Sequence, residues 1–281
     1  MELSQKLRIF ALKEPNNMKI YHYTSIQTLA LILKYKNIRF NRLDMVDDME
    51  ESIYGSGPTQ TKLGMYTFVS CWTKSEKENL ALWNMYTNYK GVRIGIDAMP
   101  FTTYGKDNNF KSLFPNTIKL ESDYIIISWG NEAKLHDVIY IDTPEKEIKN
   151  IINPTNDGGI LMQIHSAGIY KRKEWAMQQE SRFKIFVLPA NCVNSIKSSN
   201  NVNSAISNIF SSIITSLIKN EPIATNYIDI ALDPAKLSDI EIMMGPMTSD
   251  ADRIIVESLL NPYPKAKIKN SLFLGKLRKK R

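Results

Sequence analysis

The sequence contains few of the residues that build metal sites and disulfide frameworks. Its 281 residues include two cysteines, Cys71 and Cys192, and three histidines, His22, His136 and His165. The cysteines are far apart and lack CxxC spacing, and the histidines form no HExxH or other paired pattern. Because zinc sites and disulfide-stapled domains need such spacings, we predict no disulfide framework and no metal site.

Long apolar runs are also absent. No segment approaches the roughly 18 to 20 uninterrupted apolar residues that cross a membrane. The N-terminal stretch MELSQKLRIFALKEPNN lacks the apolar core and the cleavage site of a signal peptide. We therefore predict a cytoplasmic protein without membrane contact.

The glycine-rich phosphate loops of nucleotide-binding folds are missing too. Neither GxGxxG nor GxxxxGK[ST] occurs, strict alternation of strands and helices is not found, and no segment repeats at a fixed period. These absences argue against Rossmann and P-loop domains.

The composition is that of a folded protein with a basic balance. With 43% hydrophobic and 10% aromatic residues, the chain can bury a substantial core. The formal net charge is +7, from 36 basic and 29 acidic residues, and part of the excess lies in the terminal KLRKKR, Lys276–Arg281. Two interpretations of this tail remain open, a phosphate-contacting segment and a solvated chain end.

Hydrophobic periodicity predicts intermixed strands and helices. A strand over Met18–Tyr23 leads into a helix that Ser25 caps and that runs through Leu33, and NIRFNRL is a second strand. A strand, a helix and a strand follow again in MYTFVSCW, EKENLALWNMYTNY and GVRIGID. We predict an α+β fold whose core is a split, mainly antiparallel sheet with flanking helices.

Two polar segments are predicted to be irregular. DMVDDMEESIYGSGPTQTK is acidic and then rich in small residues, which is typical of a long loop, and its acidic part, Asp44–Glu51, is a candidate gate over a cleft. NSIKSSNNVNS is a polar linker before an amphipathic helix over about Asn203–Lys219.

The stretch YHYTS places a histidine in a strand-like run directly before the first predicted helix. Neighbouring strand residues point to opposite faces, so Tyr21 and Tyr23 face away from His22. Thr24 and Ser25 add polar groups at a helix N-terminus, where backbone N–H groups favour anions. Two interpretations stay open, a core histidine and a binding residue.

Polar residues also occur on two later predicted strands. FVSCWTK puts Ser70 and Trp72 on one face, a pair suited to a flat heterocycle, whereas Cys71 faces the other side and is predicted to be a core residue. Glu180 and Arg182 in ESRF share one face of a strand start. They form an ion pair in the simpler interpretation, and in the alternative the carboxylate stabilises a sugar cation or orients a ribose hydroxyl.

Taken in order, these segments resemble a bacterial family, domain of unknown function 2971. The resemblance rests on YHYTSIQTLALIL, NIRFNRL and the acidic residues after it, FVSCWT, NLALWNMYTNYKGVRIGID, KEWAMQQESRF and IEIMMGP. The sequence departs from the family at Gln178, where an acidic residue is frequent, and at DMVDDME, where an Asn-Asp-Pro run is frequent. We expect a single domain over 1–281, with a family-like core at about 18–246 and a C-terminal helix, strand and basic tail at 247–281.

The chain is more distantly similar to ADP-ribosyltransferases of the histidine, tyrosine, glutamate type. That similarity implies an ADP-ribosyltransferase-like fold that uses NAD as a substrate, with Glu180 as the catalytic carboxylate and His22 as a ribose ligand. Further contacts to NAD are expected from Tyr23, Thr24, Ser70, Trp72, Trp83, Tyr86 and Arg182.

The implied activity is transfer of ADP-ribose to a nucleic acid, RNA included, or to a protein. The implied setting is a toxin or a phage-defence effector, for which a neutralising antitoxin protein is an expected partner. Two alternatives remain open at this point. One is a non-catalytic module that binds a nucleotide or a partner, and the other is a metal-dependent nuclease that uses Asp47, Asp48 and Glu180.

Overall fold

The computed structural model describes residues 18–107, 110–116, 118–121, 124–127, 133–156, 159–190 and 211–278. The strands are β1 (Lys19–Thr24), β2 (Asn37–Arg42), β3 (Thr67–Thr73), β4 (Val92–Asp97), β5 (Tyr104–Asp107), β6 (Phe110–Ser112), β7 (Ile118–Leu120), β8 (Tyr124–Ile127), β9 (His136–Asp137), β10 (Ile139–Ile141), β11 (Ile152–Pro154), β12 (Ile160–Met162), β13 (Tyr170–Arg172), β14 (Glu180–Pro189), β15 (Tyr227–Ala231), β16 (Glu241–Met244) and β17 (Lys267–Asn270). The helices are α1 (Ile26–Tyr35), α2 (Leu80–Thr87), α3 (Pro144–Lys149), α4 (residues 211–218), α5 (Pro234–Ser238) and α6 (Asp250–Leu260).

The opening strand, helix and strand are confirmed. The side-chain oxygen of Ser25 accepts a hydrogen bond from the backbone N–H of Thr28 and so caps α1. The helix ends at Lys36, whose left-handed backbone (φ 53°) turns the chain into β2. One face of α1 is buried through Ile26, Leu29, Ile32 and Leu33.

A mainly antiparallel sheet forms the centre of the fold, which confirms the predicted α+β class. Its strand order is β17-β16-β4-β1-β3-β14-β8-β7, with β2 beside β3, β15 beside β2, and β9 beside β14. Strand β16 pairs in parallel with β17 and antiparallel with β4. Within the described residues, every helix is too short or too polar to traverse a bilayer.

The sheet is split between β1 and β3. Strand β1 pairs with β4 along its whole length, and β3 pairs with β14 from Thr67↔Phe186 to Thr73↔Glu180. In contrast, β1 and β3 are in register only at Tyr21↔Thr73. The two halves of the sheet therefore diverge from a single paired position and leave space between them.

One hydrophobic cluster, with members from Ile20 to Leu260, fills most of the interior. A separate small cluster on the opposite face of β1 joins Tyr23 to Leu82 and Trp83 of α2. Because successive residues of β1 point to opposite faces, Ile20 packs into the main core and Tyr23 packs against α2. Helix α2 is thereby held beside the split in the sheet.

Several segments differ from the expectations. The stretch TTYGKDNNF contributes to the β5–β6 hairpin rather than to a loop. Short 3₁₀ turns interrupt the long acidic loop, and the chain before Glu180 forms β13 and a 3₁₀ turn at Lys173–Gln178 rather than an α-helix. The predicted linker NSIKSSNNVNS, the first residues of the helix that follows it, and the last three residues of the tail lie outside the described residues.

Candidate functional site

A cleft of about 980 Å³ opens where β1 and β3 diverge. It is lined by seven of the predicted site residues: His22, Tyr23, Thr24, Ser70, Tyr86, Glu180 and Arg182. A smaller cavity of about 60 Å³ shares part of this lining and is also bounded by Trp72 and Gln178. Residues that are remote in sequence are thus brought together at the split in the sheet.

His22 is both a cleft residue and a connection between the two halves of the sheet. Its Nδ1 lies 2.9 Å from the carbonyl oxygen of Cys71 on β3. A carbonyl only accepts, so Nδ1 carries the proton and Nε2 is left as an acceptor. Burial lowers the pKa of His22, against the opposing effect of the bond to Cys71, so the ring is neutral at pH 7.

Glu180 and Arg182 form the ion pair that is the simpler interpretation of their spacing. Arg182 Nε donates to Glu180 Oε1 at 2.6 Å, and Arg182 Nη2 donates to Oε2 at 3.0 Å. Lys171 Nζ donates to the same Oε2 at 3.2 Å, and on its other side Arg182 binds Glu51. All four side chains are buried. The pair is therefore part of a cluster of two cations and two carboxylates.

The cluster keeps Glu180 negatively charged. Burial alone raises the pKa of Glu180, but the charge and hydrogen bonds of Arg182, with the charge of Lys171, outweigh it and hold the pKa at about 2. An ionised carboxylate that is paired with two cations therefore lies at the edge of the cleft, because Glu180 is one of its lining residues.

Cys71 is close to this carboxylate. Burial, together with the charge of Glu180, raises the pKa of its thiol well above the usual range, so the thiol stays protonated. Cys71 packs against the core, as predicted, but it is only partly buried and lines both cavities. Two bonds from Arg182 and one from Lys171 occupy three of the four lone-pair positions that the Glu180 carboxylate offers.

Tyr86 and Gln178 extend the polar network from the cluster to the cleft wall. The Tyr86 hydroxyl donates to Asp47 Oδ2 at 3.1 Å and accepts from Gln178 Nε2 at 3.1 Å. Gln178 Oε1 accepts from Lys171 at 2.9 Å. An amide at position 178 donates to a hydroxyl and accepts from an ammonium at the same time, which a carboxylate does not do.

Trp83 is the one predicted site residue that lines neither cavity. Trp83 is fully buried and packs edge-on against Tyr23 at 4.8 Å between ring centroids. Its Nε1 donates to Glu78. The face of α2 that carries Trp83 packs on β1, so this residue is a core residue. Trp72 is also buried, and its Nε1 donates to Ser70 at 2.9 Å.

The carboxylates of the nuclease alternative do not converge. Asp47 lines the cleft, but buried Asp48 caps a 3₁₀ turn by accepting from the backbone of Glu50 at 3.0 Å. In the part of the chain that the structure describes, no group of three or more His, Cys, Asp or Glu side chains is placed to hold a metal ion. Glu241, on β16, pairs with Lys19 and lies outside both cavities.

The acidic segment Asp44–Glu51 is tied down at several points. Asp44 pairs with Arg42 at 2.6 Å, and Glu50 pairs with Arg172 at 2.8 Å. Between these anchors, residues 45–47 line the cleft. In the conformation described, the segment proposed as a gate forms part of the cleft wall.

One wall of the cleft was not predicted from the sequence. The polar faces of β2 and β15, called here the outer wall, contribute Asn37, Arg39, Asn41, Tyr227 and Asp229. The signal was present as a period-2 alternation of polar and apolar residues in NIRFNR and YIDIA. The pattern predicts strands, but the pairing of these two strands with each other is not readable from it.

A scan against protein-family models, a search of curated proteins and a search of solved structures each gave no match. The two family resemblances drawn from the sequence therefore stay predictions.

Proposed function

We propose that this protein is an ADP-ribosyltransferase-like enzyme that binds NAD in the cleft between β1 and β3. One observation carries the proposal. The split in the sheet brings His22 and Glu180 to a single cleft. The volume of this cleft, about 980 Å³, is at the upper end of the usual range for small-molecule sites.

The charge of Glu180 suits the reaction. When the bond between nicotinamide and ribose breaks, its electron pair leaves with nicotinamide and positive charge develops on the ribosyl ring. A buried carboxylate that stays ionised stabilises that charge without needing a metal or a nucleophilic side chain. The acceptor atom then bonds to the ribosyl carbon and loses its proton to solvent.

The other cleft residues suit binding and orientation. The unprotonated Nε2 of His22 accepts a hydrogen bond from a ribose hydroxyl, and the bond of Nδ1 to Cys71 fixes the ring that does so. Tyr23 and Tyr86 provide aromatic walls. We propose the same biological setting that the sequence resemblance implies, a cytoplasmic toxin or phage-defence effector with a neutralising antitoxin.

A second candidate is a non-catalytic module that binds a nucleotide or a partner. The three hydrogen bonds that Glu180 accepts from Arg182 and Lys171 favour it, because they leave a single lone-pair position of the carboxylate for a ribose hydroxyl. Catalysis through the charge of Glu180 does not need that position, whereas catalysis through a direct hydrogen bond requires that the substrate reach it.

Two incubations separate these candidates, one with NAD that carries the label on its nicotinamide and one with NAD that carries it on its adenine side. Release of labelled nicotinamide, with transfer of adenine-side label to cell-lysate RNA or protein, supports the transferase. Binding of NAD without release supports the binding module. Absence of both contradicts the proposal, and cleavage of nucleic acid that depends on a divalent cation supports a nuclease instead.

A further inference from the structure

The outer wall presents polar and aromatic side chains on one surface. In the antiparallel pairing of β2 with β15, Arg39 is opposite Asp229 and Asn41 is opposite Tyr227. These side chains and Asn37 line the cleft, whereas the alternate residues Ile38, Phe40, Ile228 and Ile230 are buried in the core. The strand alternation therefore fixes what this wall offers to a ligand.

Arg39 is held as a flat platform in this wall. Its Nε and Nη2 donate to the two carboxylate oxygens of Asp229 at 3.0 and 3.2 Å, and its guanidinium carbon lies 3.5 Å from the centroid of the Tyr227 ring. One edge and one face of the guanidinium are thus occupied. Its side chain is nevertheless 49% exposed, so the remaining surface is open to a ligand.

The chemistry of the platform is that of a stacking surface. Asp229 offsets the charge of Arg39, so attraction for a lone phosphate is weakened, while the plane of the guanidinium remains. Tyr35, which is 59% exposed, adds a second aromatic side chain to the lining. The amides of Asn37 and Asn41 offer both donors and acceptors to a base edge.

The residues around the platform favour a single-stranded nucleic acid, with its negatively charged phosphates, over a free base. Lys34 and Lys36 flank Tyr35 of the cleft lining in the sequence, and both are exposed. Arg42 does not add to this charge, because it pairs with Asp44. Exposed lysines together with a stacking platform are the combination with which proteins bind single-stranded nucleic acids.

We propose that the outer wall binds a nucleobase of a single-stranded nucleic acid, stacked on the open surface of Arg39 while nearby lysines contact the phosphates. A duplex does not fit this site, because its bases are stacked on one another and their faces are covered. That the strand is the acceptor of ADP-ribose rests on the proposed function, whereas the binding itself does not.

Fluorescence anisotropy with a labelled 12-nucleotide RNA, the matching DNA and their duplex forms tests this inference. The variants are Arg39→Lys, which keeps the charge but removes the plane, and Tyr227→Leu. Their matched controls are Arg253→Lys, at a partly exposed arginine paired with Glu257, and Tyr104→Leu, at an exposed tyrosine; neither residue lines the cleft. Melting temperatures confirm that each variant is folded.

We expect both outer-wall variants to bind single strands about fivefold or more weakly, with the controls within about twofold of wild type and little binding of duplex. Equal binding by Arg39→Lys and wild type would overturn the inference, as would wild-type protein that binds no single strand. Loss of NAD affinity with unchanged strand affinity would also overturn it, because the platform then holds the adenine of NAD. Nicotinamide release reports on the proposed function separately: strand binding through Arg39 without NAD cleavage contradicts that function alone.

Discussion

Arg182 and Glu51, which are 131 positions apart in the chain, form a buried ion pair through two N–H···O bonds. Glu180 binds the Nε side of the same guanidinium. The acidic segment after β2 is thereby attached to the first residues of strand β14, at the base of the cleft. This attachment links the stability of the fold to the geometry of the candidate site.

We predict that Arg182→Met destabilises the protein by about 3 to 5 kcal/mol, because two buried carboxylates lose their main partner. Urea denaturation measures this change. The control, Arg253→Met, removes one side of an exposed pair with Glu257 and should cost about 0 to 1 kcal/mol. Similar small losses in both variants would show that the buried cluster contributes little to stability.

Acid should weaken the fold through Glu180. Its folded-state pKa of about 2 lies below the ordinary value of 4.5, so its contribution is present above the ordinary value and is lost as pH falls from about 4.5 towards 2. The full contribution is on the order of 3 kcal/mol. The unfolding free energy of wild type and Glu180→Gln, measured from pH 7 to 2, should converge as the pH falls. A constant difference would mean that Glu180 titrates normally in the folded state.

Two substitutions at His22 should separate its roles. In His22→Asn the side-chain amide can still donate to the carbonyl of Cys71, but nothing replaces the acceptor Nε2; His22→Ala removes both. We predict that the Asn variant melts closer to wild type than the Ala variant does, and that both lose most of their NAD affinity in calorimetric titration. NAD binding by His22→Asn at wild-type affinity would return His22 to the core interpretation.

The thiol of Cys71 should react slowly. Burial raises its pKa well above the usual range, so at pH 8 almost no thiolate forms. Iodoacetamide labelling followed by peptide mass spectrometry should show little modification of the Cys71 peptide in folded protein and rapid modification in urea. Equal rates in both conditions would contradict a protonated thiol in the folded protein.

The sequence predicted local features of the site better than its assembly. Alternation along β14 placed Glu180 and Arg182 on one face, and the cap at Ser25 located the start of α1. Neither pattern showed that the Glu180 pair is buried, because burial depends on Glu51 and Lys171, which arrive from other parts of the chain.

The resemblance was misleading at Trp83, which it led us to expect as a contact to NAD. The spacing of Trp83 on α2 fits a ligand-facing surface and a core-facing surface equally well. The choice depends on which face of the helix packs on β1, and local sequence does not contain that information. The outer wall was missed for the same reason, since it exists only once β2 and β15 pair.

The rate of nicotinamide release at saturating NAD tests the central claim most directly. The comparison is between wild type, Glu180→Gln and Glu241→Gln. Glu241 is the control because it is a buried, ion-paired carboxylate that lies outside both cavities. The rates are measured at a temperature where circular dichroism shows that all three proteins are folded. We predict that Glu180→Gln binds NAD within a fewfold of wild type and lowers turnover on the order of a hundredfold to a thousandfold, with Glu241→Gln near wild type. Unchanged release by folded Glu180→Gln, or no release by wild type that binds NAD, would contradict the account.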